Sequence, residues 1–146
     1  MQYKTYPLTE NQDSTRFQFQ SIGKNGVFDK VVLITPINRD ISNLALLDVD
    51  PFSQEQSDSS VTDNGDMGEV LATVLNVVKI FLAKHPDQSI YFEGNTSVKT
   101  RLYQIVINKV FDQVTDEFVI YGLKDAEWLE FEPNVTYEGF LIEKKP

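Results

Sequence analysis

The residue types best suited to chemistry crowd into one short stretch, EGNTSVKTRLYQ, residues 93–104. Gly94 follows an apolar run and permits a tight turn, and Asn95, Thr96 and Ser97 are all good N-cap residues for a helix that begins just after them. Hydroxyls beside the free N–H groups of a helix start make a ready site for an anion. Lys99 and Arg101 can add charge-assisted bonds to phosphate or carboxylate, and Tyr103 follows within a turn. Cations in a first helical turn oppose the helix dipole, so a purely structural role is a poor fit for Lys99 and Arg101. The competing structural reading has Thr96 or Ser97 capping the helix and Arg101 pairing with an acid such as Glu93. The stretch is not a phosphate-binding P-loop, because the Gly-Lys-Ser/Thr ending is missing.

A second constellation is acidic. Asp48, Glu69 and Glu93 stand near strand ends and a helix start, which allows a metal-dependent phosphoesterase of ribonuclease H-like architecture, with carboxylates holding two Mg²⁺ ions. That architecture places an aspartate on its first strand, and the first clear strand here, FQFQS, has none. Asp63-Asn64-Gly65-Asp66 resembles part of a calcium loop but lacks the alternating ligands and distal Glu of an EF-hand. A solvated loop ending in a helix cap accounts for it. His85 is the sole histidine, and no serine sits in a Gly-x-Ser-x-Gly elbow. Tyr91, Tyr103, Tyr121, Tyr137 and Trp128 offer rings for stacking on bases, although a sheet protein also needs such rings in its core and in cross-strand pairs. No cofactor is expected.

These residues must be positioned by the elements around them. In RFQFQSIGKNGVFDKVVLITPI two runs of alternating or β-branched residues flank Gly23-Lys24-Asn25-Gly26, the chemistry of a hairpin with positive φ in its turn. Asn43–Val49 reads as a third strand. Residues 51–68 form a long acidic loop, expected to be mobile in part. Its end, Asp66-Met67-Gly68-Glu69, has capping-box spacing. Val70, Leu71, Val74, Leu75, Val78, Phe81 and Leu82 then recur at helical spacing until Lys84-His85-Pro86 stop the helix. Ser89–Phe92 reads as a strand, Val98–Phe111 as a second helix with Leu102, Ile105, Val106, Lys109 and Val110 on its inner side. Phe118–Leu123, Glu127–Glu132 and Val135–Glu143 read as strands, the last a possible exposed edge for a homo-oligomer.

The expected fold is therefore α/β of the α+β type: a mixed, mainly antiparallel sheet in the order βββ-α-β-α-βββ with two helices packed on it. Its 146 residues suit one domain, 1–146, without repeats. The absence of cysteine excludes disulfides and thiolate metal sites. With no signal-like N-terminus and no apolar run long enough to span a bilayer, a cytoplasmic protein without membrane contact is expected. The net charge of -9 disfavours nucleic acid, but seven of the 22 acids fall in the cation-free stretch from Asp48 to Glu69, leaving 15 against 13 cations elsewhere. Most of the chain is nearly neutral.

Several blocks in order carry a resemblance: Phe17-x-Phe19-x-Ser21-x-Gly23-Lys24-x-Gly26, Asn43-Leu44, Asn64-Gly65-Asp66, Gly94-Asn95-Thr96 with Thr100-Arg101-Leu102-Tyr103, and Tyr137-Glu138-Gly139-Phe140. Together they resemble a family of small bacterial proteins, common in Bacteroidetes, known as a domain of unknown function. The resemblance implies a bacterial, cytosolic setting and brings no established activity. The functional expectation is a non-enzymatic binding module that recognises an anionic group, on a nucleic acid or a protein partner, through Thr96, Ser97, Lys99, Arg101 and Tyr103. The alternatives are the phosphoesterase built on Asp48, Glu69 and Glu93, and a protein-interaction or oligomeric subunit.

Overall fold

A computed structural model describes residues 3–49, 56–57, 64–94, 100–105, 107–108 and 116–146. The elements are β1 (Thr9–Glu10), β2 (Arg16–Gly23), β3 (Gly26–Pro36), β4 (Ile41–Val49), β5 (Gln56–Ser57), α1 (Met67–Lys84), β6 (Ser89–Phe92), a second helix α2 (helical at 100–105 and 107–108), β7 (Phe118–Lys124), β8 (Glu127–Glu130) and β9 (Gly139–Lys144). The strands follow the hydrogen-bonded order β1-β2-β3-β4-β6-β9-β7-β8, with β5 on β4. Only the pairing of β4 with β6 is parallel among the registers described. The mixed, mainly antiparallel α/β architecture read from the sequence is the observed one.

The chain divides into two compact units, Tyr3–Thr35 with Leu44–Phe81, and Pro36–Asn43 with Leu82–Pro146. In the first, the β2–β3 hairpin runs from Arg16↔Leu33 to Gly23↔Gly26 around a Lys24-Asn25 turn, and Gly26 takes the positive φ of +119° that its position demands. Alternation along β2 buries Phe17, Phe19 and Ser21 and leaves Gln18, Gln20 and Ile22 exposed. Those buried rings share the core of this unit with Val32, Ile34 and the apolar stripe of α1, chiefly Val70, Val74 and Val77. The expected capping box at the start of α1 is replaced. Val70 N donates to the backbone oxygen of Asp66 at 2.9 Å, while the Asp66 carboxylate is turned to other donors described below.

In the second unit, β6, β9 and β7 lie side by side. Their inner positions Ile90, Phe92, Phe140, Ile142 and Ile120 are buried. Phe92 meets Phe140 at 5.5 Å and Tyr103 of α2 at 5.6 Å, and Phe131 meets Tyr137 at 5.2 Å. A two-residue turn with positive φ at Asp125 and Ala126 joins β7 to β8.

Two expectations are corrected here. The last strand is not an edge: β9 is hydrogen-bonded on both sides, to β6 and β7, and β8 ends the sheet. The inner side of α2 is also different, because Thr100, Tyr103, Gln104 and Ile107 are buried while Ile105 is 43% exposed and Leu102 half-buried. Lys109 and Val110 lie outside the described residues, as does the side chain of Val106. The helix turns a polar Gln inward because Gln104 Oε1 accepts the backbone N–H of Tyr137 at 2.9 Å, in place of an apolar contact.

Candidate functional site

The strand-to-helix junction of the second unit is closed by Thr100, a residue that the sequence marks only as part of the Thr100-Arg101-Leu102-Tyr103 block. Thr100 Oγ1 accepts from Gly94 N at 3.0 Å and lies 3.3 Å from Gly94 O, so one hydroxyl pins the end of β6 to the first described turn of α2. Of the five candidate anion ligands, Thr96, Ser97 and Lys99 lie outside the described residues. Arg101 is exposed on α2; Tyr103, two residues on and turned to the other side of the helix, is 7% exposed with its ring against Phe92.

Among the three carboxylates proposed for a metal, Asp48 is in a salt bridge with Lys30, Glu69 sits in the first turn of α1, and Glu93 follows β6. Among the described residues no group of three or more His, Cys, Asp or Glu side chains is placed to hold a metal ion.

The first unit contains a polar node. Asn64 donates through Nδ2 to Ser21 Oγ at 3.1 Å and to Gly26 O at 3.0 Å. Its own oxygens accept from Asn25 N at 2.7 Å and Lys24 N at 3.0 Å. Asp66 Oδ2 accepts from Ser21 Oγ at 2.5 Å and from the Tyr6 hydroxyl at 2.7 Å. Burial and the bond to Asp66 push the Tyr6 phenol up to about 12. The blocks Ser21-x-Gly23-Lys24-x-Gly26 and Asn64-Gly65-Asp66 are thus two halves of one structural knot. Gly23 is required within it, since a Cβ there would stand 2.0 Å from the Asn64 backbone oxygen. Beside the node a cleft of about 460 Å³ is lined by Gln18, Gln20, Asp29 and Lys30 among others, with Asp48 already answering the charge of Lys30.

A second constellation lies on the outer face of the second unit's sheet. Strand register arranges it in rows. One row is Ile41, Ser89, Glu143 and Val119; the next is Asn43, Tyr91, Leu141, Tyr121 and Glu130; the third is Gly139, Leu123 and Trp128. Apart from Gly139, every one is half-buried or exposed, whereas the inner positions of β6, β7 and β9 alternate with them into the core. Gly139 leaves a dip that the Tyr91 side chain enters: a Cβ there would lie 2.9 Å from its hydroxyl. Tyr91 then meets Trp128 edge to face, with centroids 5.8 Å apart and planes at 87°.

Carboxylates organise this face. Glu143 accepts from Ser89 Oγ at 3.0 Å and from the Tyr121 hydroxyl at 3.3 Å. Its charge, with burial, that bond and Glu130, raises the Tyr121 phenol above its ordinary value. Burial, a hydrogen bond to Glu93 and the charges of Glu93 and Glu138 push the Tyr91 phenol up to about 12. Both tyrosines therefore stay protonated donors, and no strand position on this face is Lys or Arg. Sequence reading named these rings without separating them; strand alternation keeps Tyr91 and Tyr121 outside, while Tyr103 and Tyr137 are core.

Among the described residues no helix is long and apolar enough to cross a membrane. No curated protein and no solved structure matches the chain. Residues 2–145, nearly all of it and including both constellations just described, match the sequence profile of a protein family of unknown function, DUF6934, and the chain belongs to that family.

Proposed function

We propose that this protein is a non-enzymatic binding module that holds a protein partner on the open face of its second unit's sheet. One observation carries the reading: Tyr91, Tyr121 and Trp128 stand half-buried or exposed on a single face. Tyr and Trp are the residue types that supply most binding energy at protein interfaces, having large rings, few rotamers and a polar tip. The Tyr121 hydroxyl is tethered to Glu143 and the Tyr91 ring is packed against Trp128 over Gly139, so the surface is pre-organised and little side-chain entropy remains to be lost on binding. The cysteine-free composition supports a cytoplasmic setting.

Selection of random-sequence peptides displayed against the whole chain tests this. Enriched peptides are expected to bind the native protein and to lose binding in Tyr91→Ser/Tyr121→Ser. Enriched peptides that bind that variant undiminished would sink the reading.

A second reading, an anionic group of a nucleic acid or protein held at the start of α2, is supported by the exposed guanidinium of Arg101. Its test is binding of short oligonucleotides or phosphate to the native chain, lost in Arg101→Ala with the fold retained. No binding to either probe rejects it.

A further inference from the structure

We infer that the partner segment held on this sheet face is cationic, an extended stretch of protein carrying Lys or Arg at alternate positions. The inference rests on the sheet-face reading above and deepens it. Three features of the face bear on its occupant.

The first is charge. Glu130 and Glu143 lie among the rings, Glu93 and Glu138 border Tyr91, and no strand position on the face supplies a cation to offset them. An anionic or nucleic-acid ligand laid over this surface meets like charge, whereas Lys or Arg meets opposite charge and an aromatic wall together. Glu143 is already held in place by Ser89 and Tyr121, so its carboxylate can serve a partner without first being ordered.

The second is ring geometry. Because Tyr91 and Trp128 are perpendicular, the pair forms a corner in which one ring offers its edge and the other its face. Trp128 is 44% exposed and belongs to the outermost strand, so its indole can be reached from beyond the sheet. Indole is the strongest cation–π partner among the side chains.

The third is the sheet margin. β8 ends the hydrogen-bonded order, and all four of its residues are exposed. An extended segment added along β8 continues the ladder and sends every second side chain to the Trp128–Glu130 face. Side chains of the other parity fall beside Leu129, which is 41% exposed. Alternation of cationic with apolar residues is the pattern that fits both.

Trp128 is the only tryptophan, so its emission reports on this surface alone. The probes are three eight-residue peptides of alternating pattern, Lys/Val, Gln/Val and Glu/Val, titrated into the native chain at low and raised salt. The Lys/Val peptide is expected to shift the Trp128 emission and to bind at least about fivefold more tightly than the Gln/Val peptide, with affinity falling as salt rises. Glu130→Gln/Glu143→Gln, with its folding checked by circular dichroism, should reduce that preference about fivefold. Equal binding of all three peptides without salt dependence would overturn the cationic assignment and leave the sheet-face reading standing. Trp128 emission indifferent to all three, in a chain whose display-selected peptides also ignore Tyr91 and Tyr121, would overturn both.

Discussion

The hydroxyl of Tyr6 and the carboxylate of Asp66, 60 positions apart in the chain, meet at 2.7 Å. Around that bond three segments converge: the N-terminal stretch, the β2–β3 turn and the start of α1. Ile22 N donates to the same hydroxyl at 3.4 Å, and Tyr6 N donates to Thr73 Oγ1 at 2.9 Å. The Tyr6 ring also stacks on Phe19, 6.0 Å away. The knot is therefore a stability element of the first unit, and its parts should fail unequally.

Tyr6→Phe keeps the stacked ring and removes the bond to the charged acceptor together with the weaker contacts to the Ile22 backbone, so a loss of about 1–2 kcal/mol is expected. Asp66→Ala strips the acceptor from both Tyr6 and the buried Ser21 and should cost roughly 3 kcal/mol. Urea denaturation at neutral pH measures both. Equal midpoints for the two variants would show that Asp66 contributes only through Tyr6.

The raised phenols of Tyr6 and Tyr91 give a definite pH dependence. In the unfolded chain such a group loses its proton near 10, and in the folded chain each holds it to about 12. Between those values the folded state binds more protons than the unfolded one, so stability falls as pH rises. The contribution is whole below about 10 and is lost as pH climbs through about 12. Denaturation midpoints across the alkaline range should drop more steeply for the native chain than for Tyr6→Phe/Tyr91→Phe. Parallel curves, or tyrosinate absorbance in which every phenol titrates near its ordinary value, would refute the assignment.

Two glycines on adjacent strands should respond unequally to alanine. At Gly122 a Cβ would stand 2.2 Å from the ring of Tyr137. That ring is confined by Phe131 and by a 2.9 Å bond from Glu132 N to its hydroxyl. Overpacking there should cost on the order of 3 kcal/mol. At Gly139 the added carbon meets only the tip of the half-exposed Tyr91, at 2.9 Å. Gly139→Ala should cost less than about 1 kcal/mol and change Trp128 emission by displacing its neighbour. Thermal unfolding followed by fluorescence checks both outcomes at once.

How far these relationships were legible in the sequence depends on their range. Hairpin, α1 and the strands β4, β6 and β7 announce themselves because glycine turns, β-branched runs and helical spacing are local signals. β9 was readable as a strand but not as an interior one, since its neighbours β6 and β7 are set by tertiary pairing. For α2 the apolar spacing pointed to Leu102 and Ile105, yet Thr100 and Gln104 are buried, each satisfying a backbone group outside the helix. Tyr6 carried no signal at all, as nothing near it in sequence hints at Asp66. Of the sheet-face site, the rings and acids were visible as types. Their shared face emerges only from the register that aligns Tyr91 with Leu141 and Tyr121.

The salt bridge between Lys30 and Asp48 supplies a last test, because its side chains are only 9% and 17% exposed. Lys30 sits opposite Phe19 on the hairpin, at a position that alternation assigns to the core. Asp48→Ala takes away the carboxylate that answers a buried ammonium and should cost about 3 kcal/mol. Lys30→Met leaves the more exposed partner, and should cost less. Replacing both, as Lys30→Met/Asp48→Leu, removes the charges along with their desolvation and should recover most of the loss. The double-mutant cycle by urea denaturation is expected to show coupling above about 1 kcal/mol. Strict additivity would mean that the two side chains are held in place by their other neighbours, and that the ion pair contributes nothing of its own.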